Sequence, residues 1–284
     1  MRSGPRFPLH RRRLSALLAV VAIATSIVPL SAPPAFASAR FHIECPFHHH
    51  RMDDPIVYPR QPGASHLHAF FGNKSTDAFS TYRSLRHART NCGHRGDKGA
   101  YWMPAVYKNG SLVRAVDADF YYRGATSPLG AIRPFPPGLK IIAGNSHATR
   151  PQSTRVVAWS CKGSSGTGRA TIRDCGSRLV KVLIKFPSCW DGVHKDSADH
   201  KSHMHYSIKK GNGRRGCPRS HPVPVPELTY SITLPFHDGH NVHLSSGARY
   251  TMHADFFNSW VQLALRRLVD RCIHGGIECP SFDA

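Results

Sequence analysis

After about residue 40 the chain is built of short apolar runs broken by Pro and Gly, the punctuation of a β-rich protein. The clearest strand spans residues 179–186, where Val180, Val182 and Ile184 alternate with Lys181, Leu183 and Lys185. Runs of the same type occupy 100–107, 118–122, 140–143, 156–161, 203–208 and 228–234. Only 258–271 has helical spacing, with Trp260, Leu263, Ala264, Arg267 and Leu268 near one face and Asn258 or Ser259 as N-cap. This pattern predicts a mainly β, single-domain, sandwich-like fold with long loops and a C-terminal helix.

The N-terminus has another grammar. Arg2, Arg6, Arg11, Arg12 and Arg13 precede an apolar run over 14–30 and then Ala35-Phe36-Ala37. A basic region, an apolar region and a small-residue site in that order predict a secretory signal over 1–37, a domain over 38–284 and a secreted, extracellular product. No later run is long enough to span a membrane. All eight cysteines (45, 92, 161, 175, 189, 217, 272, 279) lie beyond the cleavage site and none forms C-x-x-C, so a disulfide framework is expected. Many connectivities are possible. Sequential pairing, 45–92, 161–175, 189–217 and 272–279, closes the shortest loops, and the Gly/Ser-rich stretch 163–168 then becomes a disulfide-tied surface loop.

Charge and histidine content alter this picture. The 284 residues carry 38 Lys+Arg against 17 Asp+Glu, a formal net charge of +21. Loss of residues 1–37 removes five arginines and no acids, leaving 33 − 17 = +16. The cations are scattered (Arg83, Lys209, Arg214 and Arg266 are examples) and form no arginine-rich tail. They favour an anionic wall polymer or other polysaccharide over nucleic acid as partner. Glu44, Glu227 and Glu278 are the only glutamates, so carboxylate chemistry falls mainly to aspartate. Histidine, at 20 residues, is in excess.

Two segments concentrate the histidines. In an extended Gly63–Asn73 stretch, His66 and His68 point to one side, with Phe70 and Phe71 as a shoulder. The second segment, 186–206, holds Asp191, Asp196 and Asp199 with His194, His200, His203 and His205. Such density is costly unless the groups pair with one another, a metal or a ligand. There His203 and His205 are expected on one strand face. A third piece places His253 and Asp255 two apart, and His48-His49-His50 is a run near the mature N-terminus. The absence of H-E-x-x-H, Gly-x-Ser-x-Gly and a Walker loop argues against zincin, α/β-hydrolase and P-loop chemistry.

Asp54-Pro55-Ile56-Val57, Gly63-Ala64-Ser65-His66-Leu67-His68, Tyr101-Trp102-Met103-Pro104, Cys189-Trp190-Asp191-Gly192, Asp199-His200-Lys201-Ser202-His203-Met204 and His253-Ala254-Asp255-Phe256 follow in one order. In this the chain resembles DUF1996, a secreted domain of unknown function found in fungi and bacteria, over roughly 41–275. The resemblance implies an extracellular or wall-glycan setting, since fungal members often carry a carbohydrate-binding WSC module; no such module is present here. It supplies no settled activity. The family pattern tends to have Asp after the H-x-H, where this chain has Ala69, and a small residue after Ser-His-Met, where it has His205.

Three functional expectations follow. The first is a hydrolase acting on cell-wall or extracellular polysaccharide, with Asp191, Asp196 or Asp199 as acid, base or nucleophile, and His66, His68, His200 and His203 positioning substrate or moving protons. Trp190, Trp102 and Tyr101 would stack on sugar rings. The second is a metal-binding protein, or a metal-dependent phosphodiesterase, holding Zn²⁺ or Cu²⁺ through His66, His68, His203 and His253. The third is a non-catalytic binder of anionic wall polymers.

Overall fold

The computed structural model describes residues 39–166 and 168–284, together with Met1, Ser3 and Gly4. The expected signal segment lies outside the described residues, apart from those three. Ten antiparallel strands form two five-stranded sheets. In chain order they are β1 (Arg40–Glu44), β2 (Phe47–Arg51), β3 (His68–Gly72), β4 (Ala100–Pro104), β5 (Asp117–Arg123), β6 (Lys140–Gly144), β7 (Val157–Cys161), β8 (Val180–Lys185), β9 (Glu227–Leu234) and β10 (His253–Phe257). The first sheet runs β1-β5-β9-β8-β7 and the second β2-β3-β4-β10-β6. Residues 39–284 fall within one compact unit.

The sheets pack face to face because each turns a row of alternate apolar residues inward. β1 contributes Phe41 and Ile43, β5 contributes Ala118, Phe120 and Tyr122, and β8 contributes Val180, Val182 and Ile184. From the second sheet come Ala69, Phe71, Tyr101, Met103, Ala254 and Phe256. Aromatic rings join the two layers, with Tyr101 and Phe120 centroids 4.1 Å apart and Phe120 and Tyr230 centroids 4.7 Å apart. Strands β3, β4 and β10 are buried on both faces. Their outer face is covered by a second apolar cluster of Ile56, Phe70, Leu85, Ala100, Trp102 and Phe257, under the 53–66 loop and a short helix, α1 (Tyr82–His87).

A polar chain crosses the core. The Trp260 indole N–H donates to the Tyr122 hydroxyl (2.9 Å), the Tyr122 and Tyr101 hydroxyls are 2.6 Å apart, and Tyr101 donates to Asp97 Oδ2 (2.6 Å). Asp97 also accepts from the Gly99 amide (2.9 Å). Burial pushes the Asp97 carboxyl up to about 7, although the bonds from Tyr101 and Gly99 pull the other way.

The elements depart from the expected pattern in two places. The helix begins later than 258 and runs α2 (Gln262–Leu268), continuing as a π-helical turn over Val269–His274. Asn258 and Ser259 cannot cap it because their side chains are spent elsewhere. Asn258 Nδ2 donates to the Phe135 and Pro136 carbonyls, and Ser259 Oγ donates to the Lys98 carbonyl. Its buried positions are Leu265 and Leu268, whereas Leu263 is exposed. The 203–208 run breaks into two-residue strands, Met204–His205 and Ile208–Lys209, with His203 buried and His205 exposed, so these two histidines do not share a face. The disulfides pair sequentially, Cys45–Cys92, Cys161–Cys175, Cys189–Cys217 and Cys272–Cys279, and among the described residues no cysteine is free.

Two outcomes are expected. Loop-closure entropy ranks Cys45–Cys92, at a separation of 47 residues, as the strongest staple at about 4 kcal/mol, and Cys272–Cys279, at 7 residues, as the weakest at about 2.4 kcal/mol. Denaturant unfolding of the two Cys→Ser pairs checks that order. Asp97 is more protonated folded than unfolded, so its contribution is complete below the unfolded carboxylate range and is lost as pH rises through about 7. Wild-type Tm should therefore fall more steeply between pH 5 and 8 than that of Asp97→Asn, and parallel slopes would contradict this.

Candidate metal centre

The outer face of the second sheet collects polar groups where a covered sheet face would ordinarily be apolar. Period-two alternation puts His68 with Phe70 on β3, and His253 with Asp255 and Phe257 on β10, on that face. The register sets Trp102 opposite both Phe70 and Asp255, and His253 opposite Gly144. Gly144 has φ +84°, and a Cβ there would lie 2.7 Å from the Met252 carbonyl oxygen, so only glycine lets the two strands close at His253. The covering loop supplies Asp54 and His66.

Three imidazoles meet here. Ring centroids are 4.2 Å apart for His66–His68, 5.0 Å for His66–His253 and 5.9 Å for His68–His253. One ligand atom from each lies within 4.8 Å of the others, and the same holds for Asp54, His68 and Asp255, so His68 links a nitrogen triad to a carboxylate pair. Tetrahedral nitrogen ligands sit about 3.3 Å apart around Zn²⁺, a gap that small side-chain rotations close. Second bonds orient the rings. His68 Nδ1–H donates to the Asp53 carbonyl (3.0 Å) and His253 Nδ1–H to the Thr251 carbonyl (2.9 Å), which leaves each Nε2 as a lone pair.

These lone pairs have no protein partner. His66 Nε2, His68 Nε2 and Asp255 Oδ2 are buried without a hydrogen bond, and so is the Trp102 indole N–H. Each such orphan costs about 1–3 kcal/mol. Burial holds His66 down at about 4, His253 at about 3 and His68 well below the ordinary histidine range, so all three rings are neutral at physiological pH. Burial likewise pushes Asp255 well above the usual carboxylate range, and the nearby Asp54 charge adds to this. Asp54 is raised by burial too. The Val57 and Ile56 amides draw it back, and so does Trp102, although the indole N–H is not in hydrogen-bond geometry. The donor set is thus neutral nitrogen and carboxylate oxygen, short of a cation, which fits a borderline divalent metal. His66 is only half-buried, and the exposed His147 is near enough to depress both His66 and His253.

The other expected site residues take local roles. Asp191 Oδ1 accepts from the Val193 and His194 amides, and its Oδ2 lies 2.6 Å from His194 Nδ1. Asp196 pairs with Lys140 Nζ (3.0 Å) and His200 Nδ1 (2.8 Å). Asp199 Oδ1 accepts from the Lys201 and Ser202 amides and the Ser197 and Ser202 hydroxyls, and these bonds hold its carboxyl well below the usual range. His203 is 1% exposed with both ring nitrogens engaged, Nδ1 with Ser197 Oγ (2.8 Å) and Nε2 with the Lys140 carbonyl (2.7 Å). His203 therefore does not join the triad, although His200 and Lys201 border it electrostatically. Of the four histidines expected as ligands, His66, His68 and His253 converge. Asp54 and Asp255 are not singled out as ligands by the sequence; its signals for them are their places in the motifs Asp54-Pro55-Ile56-Val57 and His253-Ala254-Asp255-Phe256 and the spacing of two between His253 and Asp255. Tyr101 lies in the sandwich core and Trp102 under the covering loop, both fully buried, so neither offers a ring for stacking on sugar.

The sequence matches the domain of unknown function DUF1996 over residues 54–260, a span that contains all five groups of the centre. No curated protein and no solved structure matches the chain. With most of its length covered by that match, the chain is a member of the DUF1996 family.

Proposed function

We propose that this protein is an exported metalloprotein that holds one divalent transition-metal ion, Zn²⁺ or Cu²⁺, through His66, His68 and His253, beside a carboxylate pair, Asp54 and Asp255, that shares His68 with this triad. The carrying observation is the coincidence of buried, unpartnered polar atoms, His66 Nε2, His68 Nε2 and Asp255 Oδ2, beside two rings, His68 and His253, already oriented by backbone carbonyls. An ion held by the three imidazoles would engage His66 Nε2 and His68 Nε2 together, and Asp255 Oδ2 belongs to the adjoining Asp54, His68 and Asp255 group. Four disulfides support an oxidising, extracellular setting, and no helix among the described residues is long and apolar enough to cross a membrane.

A metal in this position supplies Lewis acidity and lowers the pKa of a bound water. The protein's own groups would do the rest. His68 and His253 are fixed by their Nδ1–H bonds, Trp102 and Phe70 exclude water from below, and the half-buried His66 marks the side from which a substrate arrives. The net positive charge favours an anionic extracellular polymer there, with wall polysaccharide ahead of nucleic acid. Support for acid–base hydrolysis by Asp191, Asp196 and Asp199 is weaker, since each carboxylate is occupied by turn amides, hydroxyls or a cation.

Elemental analysis of untagged protein loaded with Zn²⁺ or Cu²⁺ and desalted should find about one ion per chain. His68→Ala and His253→Ala should each fall below about 0.2, while His48→Ala and His205→Ala, both at exposed positions, should keep full loading. Loss on changing His48, or retention in both cluster variants, would overturn the proposal. Chelation should also lower wild-type Tm by several degrees, as removal of a ligand bound only to the folded state requires, and should leave the Tm of His68→Ala unchanged.

A further inference from the structure

On the first sheet, away from the apolar faces, a cavity of about 770 Å³ opens between the end of β9, the 124–127 segment and a small hairpin, Ile208–Lys209 with Arg215–Gly216. Its volume is within the ~300–1,000 Å³ of small-molecule sites. Residues 211–216 spell Gly-Asn-Gly-Arg-Arg-Gly, yet they turn a hairpin and do not lead a strand into a helix, so this is not a dinucleotide phosphate loop.

The lining has a mixed chemistry. Arg155, Lys185, Arg214 and Arg215 bring positive charge, and Glu227 is the single acid among the lining residues. Burial raises the Glu227 carboxyl, and Lys185, Arg123 and Arg215 draw it back. Arg215 is held in place, with Nε donating to Ser207 Oγ (2.9 Å) and Nη2 to the Ser207 carbonyl. Thr126 is 4% exposed, and its hydroxyl, in the cavity wall, has no partner. A pocket built for a bare anion would not include a carboxylate. One that carries fixed guanidinium, an unpartnered hydroxyl and an acceptor carboxylate matches a ligand bearing both negative charge and hydroxyl donors.

We infer that this cavity binds an acidic sugar, a uronic acid residue, whose carboxylate meets Arg155, Arg214 and Arg215 and whose hydroxyls meet Thr126 and Glu227. The site is separate from the metal centre, but the two share a neighbour. Gly144, paired with His253, lies near the Tyr206 hydroxyl in the cavity wall, which donates to the Lys185 carbonyl (3.0 Å).

Calorimetric titration of the whole mature protein with trigalacturonate, its methyl ester, glucuronate and inorganic phosphate tests this. Trigalacturonate should bind, and affinity should drop several-fold between about 50 and 300 mM salt. The uncharged methyl ester should bind at least tenfold more weakly, and phosphate should not compete. Arg215→Ala and the near-isosteric Thr126→Val should each weaken binding about tenfold, with Tm preserved in Thr126→Val. His68→Ala should bind normally, which separates this proposal from the metal reading. Glucuronate binding as tightly as the trimer assigns the site to a single sugar, and weaker binding assigns it to a polymer unit. Equal binding of the methyl ester, displacement by phosphate, or no binding at 10 mM ligand and low salt overturns the inference.

Discussion

The arrangement depends on how the outer face of the second sheet is closed. Strands β3, β4 and β10 are buried on both sides, so something must cover His68, Trp102 and Asp255. The cover is the loop that begins at Asp53-Asp54, and these two carboxylates hold it down. Asp53 accepts from the Gly63 and Ala78 amides, Asp54 accepts from the Ile56 and Val57 amides, and the Asp53 carbonyl receives His68 Nδ1–H. The bond that closes the loop on the sheet is thus the one that sets the His68 tautomer. Folding of the cover and preparation of the donor set are one event, which is how a buried, electron-rich cluster persists at a cost in unpaired groups.

Much of the scaffold could be read from residue pattern because β1, β5 and β8 of the first sheet alternate buried with partly exposed positions. Val180, Val182 and Ile184 alternate with Lys181, Leu183 and Lys185, and 228–234 and 118–122 also coincide with real strands. Strands without alternation were harder. β3 and β10 carry His68, His253 and Asp255 on an outer face that is nevertheless wholly buried, so His68-Ala69-Phe70-Phe71 and His253-Ala254-Asp255 give no periodic sign of that burial. The disulfides followed the shortest-loop rule. The helix starts later than its residue spacing predicts, and Asn258, a good cap in isolation, instead donates to the Phe135 and Pro136 carbonyls over a hundred residues away and accepts from the Trp260 amide.

Part of the site was legible for a similar reason. The H-x-H spacing of His66 and His68 is local, and their rings do meet. The 186–206 segment showed greater polar density, but its aspartates are consumed by their own turns, and the left-handed His200 (φ +57°) belongs to that turn geometry. Local density therefore reports a self-satisfied loop as readily as a site. What distinguishes the centre is unsatisfied burial, a property of the assembled sheet and its cover. The cavity beside Thr126 and Arg215 was invisible in sequence because its walls come from six separate segments.

The most direct test of the central claim is X-ray absorption at the metal edge of the loaded, untagged protein. Three imidazole nitrogens at about 2.0–2.1 Å, joined by one or two oxygens, are predicted, with the multiple-scattering signature of histidine reduced by one ring in His66→Ala. A shell of oxygens alone, or a histidine count unchanged in that variant, would contradict the account.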